Sequence, residues 1–155
     1  MFTPTTKRNL LMAAAAFGCL IAGSRPVSSA DLDPKALTFK LPDQIQWTGT
    51  GGNRQAILYG DPSKAGLYVE LTKWLPGNMS RPHSHPNDRY IYVVSGTWWV
   101  GTGPNYDPAS TTAMPAGSFV VHKANELHYD GAKDGECVLE IVGMGPASST
   151  QANKK

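Results

Sequence analysis

The chain is poor in cysteine, in charge and in helical pattern. Two cysteines occur in 155 residues, Cys19 and Cys137. Cys19 falls in an N-terminal stretch expected to be removed, which leaves Cys137 alone and excludes an internal disulfide. Cys137 sits in an apolar run and reads as a small core residue. Charged residues make up only 17%. They form no basic stripe or face, so a nucleic-acid partner is not expected. Nowhere after residue 30 does an apolar pattern keep a helical period over three turns, which argues against a helix bundle or an α/β fold. No apolar run reaches the roughly 20 residues of a membrane span.

What is present begins with a three-part N-terminal pattern. Lys7 and Arg8 form a basic start, Leu10 to Ala22 is an apolar run, and Ser28-Ser29-Ala30 is a small-residue segment suited to cleavage after Ala30. That pattern predicts a secretory signal over residues 1–30, hence a periplasmic or secreted protein with no membrane attachment after cleavage, with a retained N-terminal anchor as the alternative. Thr6 to Leu11 also has the look of a weakened twin-arginine signal, with Lys7 in the first arginine place. Three of the 14 basic residues (Lys7, Arg8 and Arg25) lie in this stretch, which holds no acidic residue, so the net charge of +2 belongs to the signal. The remainder is near neutral and of a size for one domain.

The 16 glycines and 12 prolines punctuate short β-forming runs. Strands are predicted at 45–48, 55–59, 66–74, 90–95, 97–100, 118–121 and 137–142, with turns rich in Gly, Pro, Asn and Asp between them. Even spacing of short strands predicts an all-β sandwich or barrel. Residues 31–44 form a lead-in with Pro34 and Pro42, residues 45–146 the domain, and residues 147–155 a polar tail expected to be disordered at its end.

The chemistry concentrates in Gly77 to Gly96. His83 and His85 are one residue apart ahead of a strong strand, and alternate residues of an extended segment share a face. The two imidazoles therefore converge, as a metal site needs. The same parity reaches position 89, where a third ligand from this strand would stand. Arg89 is there instead, and a guanidinium offers no lone pair to a metal. Farther on, His122 reads as a surface or pocket-wall residue, with a fourth-ligand role as the alternative. Trp98 and Trp99 must point to opposite faces, one of them into the core.

Gly77, five residues, His83-Ser84-His85, three residues, Arg89, six residues and Gly96 match the spacing of the first motif of the cupin superfamily. One residue type differs, since the family has Glu where Arg89 stands. Gly117, five residues, Lys123-Ala124-Asn125, two residues and His128 resemble the second motif, with Lys123 for its Pro, Asn125 for its Gly and Ala132 for its Asn. Asn tolerates the left-handed backbone that a turn Gly adopts. The likeness is to small exported single-domain cupins of the type-2, ChrR-like kind, and it covers roughly residues 45–145.

The resemblance implies a jelly-roll barrel, the double-stranded β-helix, with the motif histidines inside. It implies one divalent transition metal (Fe, Zn, Ni, Cu or Mn) on His83, His85 and His128. It also implies a small-molecule substrate or ligand. Jelly-roll relatives often pair through N-terminal strands, which leaves a homodimer as one expectation. Three histidines with open positions resemble the centres of cupin dioxygenases, so a metal-dependent enzyme on a small organic molecule is the leading expectation. A non-catalytic binding or sensing cupin and a degenerate barrel without metal are the alternatives. Arg89 has three readings. It anchors an anionic group, pairs with Glu70, Glu126 or Glu140, or swings out of the barrel.

Overall fold

The computed structural model describes residues 32–152, so the predicted signal at 1–30 lies outside the described residues. The chain divides into two compact units, Met1–Thr38 and Phe39–Lys155. Of the first, residues 32–38 are described, and they hold a turn in which the Ala36 and Leu37 N–H groups donate to Asp33 O. The second unit carries eleven strands among its described residues. They are β1 (Asn53–Tyr59), β2 (Gly66–Trp74), β3 (Asn78–Met79), β4 (His83–Ser84), β5 (Arg89–Ser95), β6 (Thr97–Thr102), β7 (Thr112–Pro115), β8 (Phe119–His122), β9 (His128–Ala132), β10 (Cys137–Gly145) and β11 (Thr150–Gln151).

All strand pairs are antiparallel and fall into two sheets. One has the order β1-β2-β10-β5-β8, the other β11-β4-β9-β6-β7, with β3 also on β9. Non-sequential neighbours such as β2, β10 and β5 are what a jelly roll requires, and the all-β double-stranded β-helix is the fold. Along β2, β5 and β10 buried and more open residues alternate, as half-buried strands must. The inward positions Tyr68, Ile91, Val93, Trp98, Val100, Ala132, Cys137, Leu139 and Ile141 make the core between the sheets. Trp98 is the inward tryptophan, fully buried, and Trp99 faces out under Lys133 Nζ at 3.8 Å. Cys137 is free and buried.

Several expectations shift. Residues 45–48 do not form a strand; Thr48 makes an isolated bridge to Gln55. The sequence also hides β3, β4, β7, β9 and β11, which are short or Gly-containing and carry weak alternation. Within the expected tail, Thr150 and Gln151 pair with Ser84 and His83, while its end at 153–155 lies outside the described residues. Unpaired edge groups on the two-residue β4 recruit that polar segment through the backbone, which composition does not reveal.

Two backbone positions hold the motifs in place. Gly96 turns β5 into β6 at φ +74°, and a Cβ there would meet Glu136 O at 2.2 Å. Asn125 takes the left-handed conformation at φ 63°, in the place where the family motif has Gly, and its N–H donates to His85 O at 2.7 Å.

Candidate metal centre

Pairing register assembles the centre. His83 on β4 lies directly opposite His128 on β9. On the other sheet, Arg89 on β5 lies opposite His122 on β8. The inner faces of the two sheets thus each present a pair to the same interior. Tyr68, Gly143, Arg89 and His122 form one row across β2, β10, β5 and β8. Gly143 opens that row, since a Cβ there would meet the Tyr68 ring at 2.8 Å.

His83, His85 and His128 are all buried and offer ring nitrogens within 4.8 Å of one another. The His83 and His85 rings meet edge to face at 4.9 Å, as the His-x-His parity predicts. His83 and His128 are 4.6 Å apart between centroids. Each ring is held by a backbone carbonyl. His83 Nδ1 donates to Arg81 O at 2.8 Å, His85 Nδ1 to Ser148 O at 2.8 Å and His128 Nδ1 to Glu126 O at 3.1 Å. A carbonyl oxygen can only accept, so each neutral ring carries its proton on Nδ1 and its lone pair on Nε2. That is the outer-shell arrangement that orients metal-ligating histidines.

The residues fit a divalent transition metal on three counts. The donor set is three neutral imidazoles, which suits such ions. His128 Nε2 is buried with no hydrogen-bond partner in the protein. Burial also favours the neutral form of two of the rings. The His85 and His128 pKa values are pushed down to about 4, first by loss of solvent and then by Arg89 for His85 and by His83 for His128. Neutral imidazole is the form that binds a metal.

Arg89 enters this centre. Its Nη1 donates to His85 Nε2 at 2.7 Å, the lone pair that His85 would give a metal. Its Nη2 lies 3.5 Å from Glu70 Oε1, and the two side chains are 16% and 6% exposed. Of the three expected acidic partners, Glu70 is the one Arg89 meets. Glu126 is exposed, and Glu140 lies on the outer face of β10. The head points inward, so it does not swing out of the barrel. Loss of solvent raises the Glu70 pKa, and Arg89 opposes that rise.

His122 is a pocket-wall residue, buried at 6% exposure. Its ring lies 3.6 Å from that of His128, yet it falls outside the three-nitrogen cluster. Neither of its nitrogens has a protein partner. Burial, then His128, depresses its pKa to about 2.

The centre opens on a cavity of about 230 Å³ lined by residues of both sheets, including Gln55, Thr72, Trp74, Arg89, His122 and Asp130. Asp130 accepts from Trp98 Nε1 at 2.9 Å and from Ser80 Oγ at 2.8 Å. Thr72 Oγ1 and Trp74 Nε1 are buried without protein partners. A second cavity of about 290 Å³ shares Gln55, His85, Arg89 and Ser149 and reaches Glu70 and Ser148. Sequence reasoning did not single out Thr72, Trp74 or Asp130. The alternation of β2 from Tyr68 to Trp74 was the available signal for the first two. Tyr90 and Tyr92 are half exposed on the outer face and have no place at the site.

No family model matches the chain. Among curated proteins it is similar to a nitrosourea synthase from Streptomyces achromogenes subsp. streptozoticus, with 36% identity over 69 residues. That stretch is 44% of this chain and 14% of the synthase, so the chain spans a small part of that relative. Among solved structures it is similar to the polyketide cyclase RemF from Streptomyces resistomycificus, at 14% identity and a TM-score of 0.64, covering 77% of this chain and 87% of that one. A cupin-2 domain protein from Rhodospirillum rubrum gives 10% identity and a TM-score of 0.60 over 76% and 81% of the two chains. KdgF from Halomonas sp. gives 20% identity and 0.56 over 69% and 94%. At these identities the likeness is one of fold, and the fold is that of the cupins.

Proposed function

We propose that this chain, a cupin in fold, is a metal-dependent enzyme acting on a small organic molecule, with an oxygenase as the leading reaction class. The observation that carries the reading is the set of three buried imidazoles, each held by a carbonyl at Nδ1, that offer ring nitrogens within 4.8 Å of one another. His83, His85 and His128 would hold the ion. A divalent transition metal bound there supplies Lewis acidity and, where the ion is iron, redox chemistry.

The chain's own residues set what can bind beside it. A cavity of about 230 Å³ is below the roughly 300–1,000 Å³ of drug-sized pockets, so the substrate is small. Thr72 Oγ1 and Trp74 Nε1 offer hydrogen bonds that no protein group takes up, and a substrate with an oxygen or nitrogen at that end would satisfy them. Arg89 Nε, which has no protein partner, leaves the guanidinium a donor for a polar or anionic group beside its Glu70 contact. Ile91, Leu139 and Ile141 form an apolar wall that limits water. The fold neighbours include a polyketide cyclase and the curated relative is a synthase, which is consistent with small-molecule chemistry. We place the protein in the periplasm or outside the cell on the residue 1–30 pattern.

The test is oxygen consumption by iron-loaded protein with diketones, thiols and small phenolics. Turnover with one class supports the enzyme. A flat response across all of them, with one class still bound, turns the reading to a binding or sensing cupin. That second reading draws on Arg89, whose hold on His85 Nε2 weakens the centre as a resting metal site.

A further inference from the structure

The Arg89 guanidinium is divided between His85 and Glu70, and only the first contact is short. A guanidinium has five N–H groups. Here Nη1 donates to His85 Nε2 at 2.7 Å, Nη2 reaches Glu70 Oε1 only at 3.5 Å, and Nε has no partner. A charge-assisted bond of this kind settles at about 2.7–2.9 Å, so the contact with the carboxylate is stretched while the contact with a neutral ring is short. The more strongly attracting acceptor is the one held at a distance.

His85 Nδ1 is committed to Ser148 O, so Nε2 is the atom left for a metal. One lone pair cannot serve both a guanidinium and an ion. Loading the centre therefore requires the Arg89 head to leave Nε2 and to be received elsewhere. The cavity of about 290 Å³ beside Glu70 gives it room on that side, and a carboxylate accepts a guanidinium through two parallel bonds.

We propose that Glu70 is a positioning residue for the metal centre: it draws the Arg89 guanidinium off His85 Nε2 and holds it when the ion binds. The inference rests on the metal-centre reading above. Arg89 sits on the His85 ligand atom in this arrangement, and the stretched Glu70–Arg89 pair would close when an ion takes that atom. The pair takes the place of the carboxylate ligand that the first cupin motif would provide, by removing a positive charge instead of adding a negative ligand.

The experiment is a double-mutant cycle on Co²⁺ affinity, measured by competition titration on the full chain. Glu70→Gln is expected to weaken Co²⁺ binding at least about tenfold, because Arg89 then keeps its place on His85, whereas in the Arg89→Gln background the same change alters affinity by less than about twofold. Glu70→Asp, which keeps the carboxylate, retains most of the native affinity and stands in if Glu70→Gln fails to fold. Equal losses in both backgrounds, or no loss in either, overturn the proposal while leaving the metal centre intact. Absence of Co²⁺ binding in the native chain and in Arg89→Gln alike overturns the metal reading itself, and the proposal with it.

Discussion

Replacing Arg89 by Gln removes a positive charge from a site built to take another. Nη1 sits 2.7 Å from His85 Nε2, and the three candidate ligand nitrogens lie within 4.8 Å of one another. An ion on these nitrogens would feel the guanidinium charge from on the order of 5 Å. At an effective dielectric of about 20, two unit charges at that distance interact by about 3 kcal/mol, and a divalent ion doubles the repulsion. Movement of the head toward Glu70 relieves part of this, and Gln gives back a weaker hydrogen bond to His85. A net gain of at least about 1.4 kcal/mol remains, which is tenfold in affinity. Titration of Zn²⁺ against a chelator of known strength reads it directly. Arg89→Lys, which keeps the charge, should stay near the native value and so separates charge from shape. An Arg89→Gln variant that binds Zn²⁺ no better than the native chain would refute the reasoning, since the head could not then be competing for His85.

Three further outcomes follow from the same geometry. His128→Ala should lower Zn²⁺ affinity by more than the roughly 10–100-fold cost of losing an outer-shell partner, whereas His122→Phe, outside the ligand cluster, should leave it nearly unchanged in the same titration. For the metal-free protein, His85 and His128 hold folded pKa values of about 4 against 6.5 when unfolded. The unfolded chain then takes up protons first, so stability is full above pH 6.5 and falls as the pH drops toward 4, by on the order of 3 kcal/mol for each ring; urea unfolding at several pH values checks this, and a flat profile from 6.5 to 4.5 contradicts it. Leu139→Ala empties a core position only 1% exposed and should cost about 2–5 kcal/mol in urea unfolding.

Much of the fold and the heart of the site could be read from the chain, because both rest on local period. His83 and His85 share a face by strand parity, and the structure puts their rings 4.9 Å apart. Asn125 in the left-handed region was legible from its side chain and its motif position. What escaped depends on pairing between distant strands. Ser148 lies 63 residues from His85, whose ring it orients, and no composition signal marks it, since the bond uses a backbone oxygen. Glu70 reaches Arg89 because β10 alone separates β2 from β5, and that order becomes known only when the sheet is assembled. His122 could be placed on a wall, but its seat beside His128 at 3.6 Å comes from the two sheets meeting. β11 lies in the polar tail, where composition marks no strand, and its order derives from the open edge of β4.

The central claim is that three histidines form a metal centre, and metal content tests it most directly. The native chain, recovered after dialysis against a transition metal and then against a weak chelator, is predicted to keep about one equivalent of metal, as three convergent imidazoles should. The variant lacking the imidazoles of His83, His85 and His128 together is predicted to keep none. A native protein that holds less than about a tenth of an equivalent of any transition metal, while folded, would contradict the account.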